Sequence, residues 1–161
     1  MNRVQKWRRL DGRPIRSPIE DEVRMTILRE QAAGHELTVS IGSDSQVKGE
    51  DTDFATVIVF IRKGRGGFFF IATERKRQPM TVKERMLEEV ARSIEAAYQL
   101  APVFARYGVM LEVHADINPD PRFKSNAAFR EAMGYIMGMG FTFRAKPHAF
   151  AGSCCANKVV Q

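Results

Sequence analysis

The stretch Leu37-Thr38-Val39-Ser40-Ile41-Gly42-Ser43-Asp44-Ser45-Gln46 opens on alternating apolar residues and closes on small and polar ones. Side-chain alternation along a strand puts Val39, Ile41 and Ser43 on one face and Ser40, Gly42 and Asp44 on the other. It predicts a strand over 37–43, ended by Gly42 to Gln46, with Asp44 at its tip. Two β-rich runs follow, Phe54 to Ile61 and Gly66 to Thr73, joined by the basic turn Arg62-Lys63-Gly64-Arg65. Together the three are expected to form an antiparallel meander.

Beyond the meander the period changes. From Thr81 to about Tyr107, Leu87, Val90, Ile94, Ala97 and Tyr98 recur at helical spacing, with Pro102 expected to kink or interrupt the last turns. Val109 to Asp116 reads as a fourth strand, Ser125 to Met139 as a helix, Phe141 to Lys146 as a fifth strand, and His148 to the end as a last helix. Each later strand must return through a helical crossover, so the class is α/β: a mixed sheet flanked by helices.

Upstream, Ser17 as N-cap, Pro18 at the first helical position and Glu20 three residues after the cap predict an extra N-terminal helix over 17–34, ended by Gly34. Residues 1–16 lack apolar periodicity and read as a basic arm, with Trp7 to anchor it or stack on a partner. The remaining 17–161 form one domain, its core at 37–161. The 161 residues and 44% hydrophobic content suit one packed core.

No run approaches the roughly 18 to 20 apolar residues of a membrane helix, and no apolar signal core follows Met1; no membrane association and a cytoplasmic location are expected. Cys154 and Cys155 are sequence neighbours, poorly placed to bridge one another, and read as small thiols in a reducing compartment.

The net charge of +6 is unevenly spread. Residues 1–16 hold Arg3, Lys6, Arg8, Arg9, Arg13 and Arg16 against Asp11 alone; residues 62–77 hold Arg62, Lys63, Arg65, Arg75, Lys76 and Arg77 against Glu74 alone. Such segments attract polyanions, which makes Arg8, Arg9, Arg62, Lys63, Arg65, Arg75, Lys76 and Arg77 candidate nucleic-acid contacts. The bland reading is solvated loops.

In a sheet of this kind ligands gather beyond the carboxyl ends of the parallel strands, where strand order reverses. Asp44 ends the first strand and Asp116 the fourth, and those two strands are expected to be adjacent and parallel. Carboxylates held that close repel unless a cation sits between them. A third acid is expected from the long helix, where Glu89 is favoured over Glu88, with Glu84 also in reach. Hard oxygen donors suit Mg2+ or Mn2+, and no tetrahedral Cys/His set suggests zinc. Taken singly, Asp44 reads as a turn residue, Asp116 as a loop start and the glutamates as surface charge; their joint placement is what argues for a metal.

Ile41-Gly42-Ser43-Asp44-Ser45-Gln46, His114-Ala115-Asp116-Ile117-Asn118 and Lys146-Pro147-His148-Ala149-Phe150, with Ser153 and Ala156-Asn157-Lys158, resemble the uncharacterised bacterial ribonuclease H-like family of predicted nucleases. The resemblance runs from about Thr38 to the carboxyl terminus. It implies a ribonuclease H-like core, a five-stranded sheet of order 3-2-1-4-5 counted over the strands above, and metal held by Asp44, Asp116 and Glu89. Many active ribonuclease H-like enzymes carry a further carboxylate on the last helix, where Asn157 stands here; an amide ligates without charge. Lys146 is in a position to reach a phosphate, and His148 or His114 to shuttle a proton, although a structural histidine is an equal reading.

The expectation is a metal-dependent nuclease that hydrolyses phosphodiester bonds of a nucleic acid by a two-metal type mechanism, two ions roughly 4 Å apart. The alternative is a catalytically silent nucleic-acid-binding module with the same fold. A weaker third is an assembly or regulatory subunit that meets an acidic protein.

Overall fold

The computed structural model describes residues 5–115 and, further on, 131, 133, 134, 136–138, 140–144 and 151. The elements run β1 (Trp7–Arg9), α1 (Ile19–Ala32), β2 (Leu37–Lys48), β3 (Asp51–Arg62), β4 (Gly67–Lys76), α2 (Val82–Arg106), β5 (Met110–His114) and β6 (Thr142–Arg144). The described positions between 131 and 138 are helical. Cys154, Cys155 and the last predicted helix lie outside the described residues but for Ala151.

One sheet of order β1-β4-β3-β2-β5-β6 organises the chain. The β4-β3-β2-β5-β6 part is the expected five-strand order, with the meander antiparallel and β2, β5 and β6 parallel. Two expectations need correction. Gly42 to Gln46 do not end the first strand: β2 continues to Lys48, because β3 pairs with it over its whole length from Leu37↔Arg62 to Lys48↔Asp51. The connection is a tight hairpin turn in which Gly49, at φ 65°, takes the left-handed conformation that side chains resist. The arm, in turn, is not all arm. Trp7–Arg9 adds a sixth strand against β4, Trp7 opposite Ala72, and the Trp7 indole is buried in the main core.

That core lies between the sheet and the two helices. Val39 and Ile41 of β2, Ile58 and Phe60 of β3 and Phe70 of β4 meet Val90, Ile94, Ala97, Leu100 and Phe104 of α2 and Val23 and Ile27 of α1. Phe60 stacks on Phe68 at 4.9 Å between ring centroids and meets Phe70 edge-on at 5.2 Å. The other face carries Ala55, Val57, Val59 and Ile71, with Ala151 packed on them. Gly67 is obligatory at the sheet's crowded turn, since a Cβ there would stand 2.3 Å from the Phe60 carbonyl oxygen.

The helix ends follow local signals unevenly. α1 starts at Ile19 with Pro18, not Ser17, at the cap and no side-chain cap hydrogen bond; the pre-set φ of proline suffices. Gly34, at φ 80°, follows the α1 C-cap as expected. In α2, Thr81 and Glu84 form a reciprocal capping box. Pro102 leaves α2 unbroken: it is exposed, so the carbonyl that loses its partner faces water.

α1 is tied to the sheet by one ion cluster. Glu30 receives Arg62 Nε at 2.7 Å and Arg62 Nη2 at 2.8 Å, and bonds His35 Nδ1 at 2.6 Å. The Arg62 hydrogen bonds hold the Glu30 carboxyl at about 2 against its ordinary 4.5. A depressed carboxyl contributes stability above its unfolded value that is lost as pH falls through the folded one. Over pH 4.5 to 2 the fold should therefore lose about 1 to 2 kcal/mol from this residue once solvent screening of the pair is allowed for. Glu30→Gln should flatten the acid limb of a melting-temperature curve across that window; an unchanged limb counts against the assignment.

Candidate active site

β2 and β5 lie side by side and parallel, with Gly42 opposite His114 as the last described pair. Asp44 stands two residues beyond that pair, still on β2, opposite Ala55 of β3. It is 9% exposed. Alternation turns it to the face that carries Ala55, Val57 and His114, while Ser43 and Ser45 turn to α2.

Glu89 is the α2 acid that meets β2. It is 4% exposed and accepts a hydrogen bond from Ser45 Oγ at 2.5 Å. Glu88 is taken up by Lys76 at 2.8 Å and Arg92 Nε at 3.1 Å, and Glu84 by the helix cap. The two buried carboxylates thus reach the same stretch of β2, Glu89 through Ser45 and Asp44 from the neighbouring residue. Beneath them Ser93 Oγ donates to Ser43 Oγ at 2.9 Å, and Ser43 and Thr56 share a 3.0 Å hydrogen bond, so hydroxyls add to the apolar contacts of Val90 and Ile94 in docking this end of α2.

His114 is 1% exposed. Its Nδ1 accepts from the Ala151 amide at 3.4 Å, which leaves Nε2 to donate to Glu112 at 3.0 Å. Burial pushes the imidazole below its usual value against the opposing pull of Glu112, so it is neutral at physiological pH. Both ring nitrogens of His114 are thus hydrogen-bonded in a buried setting. Asp116, Lys146, His148 and Asn157 lie outside the described residues. Among the described residues no three acidic, His or Cys side chains converge to hold a metal; the set needs Asp116.

The two basic segments, far apart in sequence, meet at one sheet edge, since β1 pairs with β4. Strand spacing puts that edge roughly 10 to 15 Å from β2. Much of its charge is already matched. Arg9 bonds Glu22 and lies over the Phe70 ring, Arg62 binds Glu30, Arg75 forks onto Asp53 at 2.6 and 3.0 Å, Lys76 binds Glu88, and the exposed Lys63 stands 3.6 Å from Glu36. Arg8, Arg65 and Arg77 form no ion pair among the described residues. A cavity of about 390 Å³ under the arm, lined by Lys6, Glu74 and Arg92 among others, includes neither Asp44 nor Glu89.

Two residues of this neighbourhood are not singled out by the sequence analysis. Ser45 is visible in the motif, and its alternation with Asp44 marks it as helix-facing. Arg85, whose Nη1 donates to Ser45 Oγ at 3.3 Å, sits four residues before Glu89, the spacing that shares a helix face.

A meander continued by two parallel strands, with α2 crossing the face beside a buried aspartate on the central strand, defines the ribonuclease H-like class of α/β protein. The ribonuclease H-like family model matches residues 21–161, and the chain belongs to that family. Neither the curated proteins nor the solved structures compared with it returned a match. Among the described residues no helix is long and apolar enough to cross a membrane.

Proposed function

We propose that the protein is a nuclease, dependent on Mg2+ or Mn2+, that hydrolyses phosphodiester bonds of a nucleic acid. The observation that carries this reading is the pair of buried carboxylates, Asp44 and Glu89, at the tip of the parallel pair in a ribonuclease H-like fold. Their oxygens are the hard donors that Mg2+ and Mn2+ take.

Asp44, Glu89 and Asp116 would hold the ions, with Asn157 as a neutral fourth donor. Bound metal would supply an activated water and stabilise the leaving oxygen. Ser45 fixes the Glu89 carboxylate, so that this donor needs no reorganisation on binding. Lys146 is assigned to a phosphate oxygen and His148 to proton transfer near the leaving group. The nucleic acid is gripped along the basic edge, mainly by Arg8, Arg65 and Arg77, the cations left unmatched there.

Purified protein should cleave labelled DNA, RNA or hybrid when Mg2+ or Mn2+ is added, and lose that activity in chelator. Cleavage undiminished in chelator, or none on any of these substrates, overturns the proposal. Asn157 favours one second reading, a binding module without turnover. It predicts salt-sensitive binding and no metal-dependent product.

A further inference from the structure

Three buried side-chain polar atoms have no hydrogen-bond partner among the described residues: Gln46 Oε1, Thr52 Oγ1 and Arg85 Nε. Thr52 and Arg85 belong to the region where the first half of α2 meets the outer end of the β2–β3 hairpin, on the face of Ser45 and Glu89, while Gln46 alternates to the face of Asp44. A buried N–H without an acceptor costs about 1 to 3 kcal/mol, and native proteins keep few.

Arg92 is well matched. Its Nη1 binds Glu74 at 2.9 Å, its Nε binds Glu88, and its guanidinium lies 4.3 Å over the Phe54 ring. Arg85 is not. It is half-buried, its one described hydrogen bond is the 3.3 Å contact from Nη1 to Ser45, and it forms no ion pair with a described carboxylate. A guanidinium carries five donors in a planar fork and keeps its charge at any physiological pH. Here Nη1 meets Ser45, Nε is buried without a partner and no described carboxylate pairs with the fork, one helical turn before Glu89 and joined to it through the Ser45 hydroxyl. The acceptor that fits a fork beside an acidic site is an oxyanion presenting two oxygens, as a phosphodiester does.

We infer that Arg85 grips a backbone phosphate of the nucleic-acid strand lying across the Asp44 and Glu89 site; the inference rests on the nuclease reading above. Fluorescence anisotropy with a fluorescein-labelled RNA–DNA hybrid and a labelled single-stranded DNA, both in EDTA, separates binding from cleavage. Arg85→Ala should weaken binding about tenfold and reduce the slope of log affinity against log salt by roughly 0.7 to 0.9. Arg85→Lys should keep the slope and lose about threefold in affinity, because a point charge replaces the fork. Arg24→Ala removes an equal charge from exposed α1, where Arg24 stands 3.7 Å from Asp21, and should change affinity less than about twofold.

Parent-like affinity and slope for Arg85→Ala overturn the inference and leave the nuclease reading intact. So does an equal loss in Arg24→Ala, which would mark a net-charge effect. A parent that binds neither probe overturns the inference, while the cleavage assay decides the nuclease reading separately. Should Arg85→Ala melt below the assay temperature, Arg85→Gln, which keeps an N–H for Ser45, carries the same expectation and the same refutation.

Discussion

Asp44→Asn is expected to lower metal-dependent cleavage by roughly 10²- to 10⁴-fold, the several kcal/mol that a charged metal ligand contributes to a phosphoryl transition state. The substitution preserves shape and strand pairing, so β2 keeps its register with β3. It removes a buried charge with little change in side-chain size, so a thermal melt should show a folded protein, while binding of nucleic acid in chelator should persist. Initial-rate assays over a manganese titration, paired with thermal melts, read both effects. A variant that cuts like the parent removes Asp44 from the chemistry. A variant that is inactive because it has unfolded would show in the melt.

The largest expected loss of stability comes from Phe60→Ala. Phe60 is fully buried near the carboxyl end of β3, stacked on Phe68 and edge-on to Phe70, and it faces the helices. Truncation removes the transfer energy of the ring and leaves a cavity that neighbouring strands, held by main-chain bonds, cannot close. A cost of about 3 to 5 kcal/mol follows. The Phe60 ring pairs account for part of it, at roughly 0.5 to 1.5 kcal/mol for each pair. Urea denaturation should report a lowered midpoint with an unchanged slope. A loss under about 1 kcal/mol would mean that this layer is not the packed centre of the fold.

How much of the fold and site is legible in the amino-acid sequence depends on which forces are local. The order of elements along the chain is visible as changes of period, and the full strand order 3-2-1-4-5 is what the family resemblance implies. Helical periodicity alone cannot fix which of Glu88 and Glu89 faces inward, and the two prove to have different partners, β2 for Glu89 and Lys76 and Arg92 for Glu88. The extent of β2 is not legible, because Gly42 to Lys48 is small and polar and is kept extended by β3 rather than by its own composition. Strand β1 is hidden for the same reason: three residues show no period, and their hold on β4 is main-chain pairing.

Charge is the most misleading signal. The basic segments are plain to see, but their partners are not, because Arg62 meets Glu30 across 32 residues and Arg75 meets Asp53 across 22. The patch that remains is smaller than the composition suggests. Alternation, finally, can be read from the sequence, and it turns Asp44 away from the face on which Ser45 meets Glu89. The proposed site must join donors from both sides of β2 at its tip.

Crystals grown with manganese test that join most directly. The account predicts anomalous density touching carboxylate oxygens of both Asp44 and Glu89, with Asp116 on the same face as Asp44. Density at neither residue, density at one of them alone, or an Asp116 turned to the opposite face would contradict it.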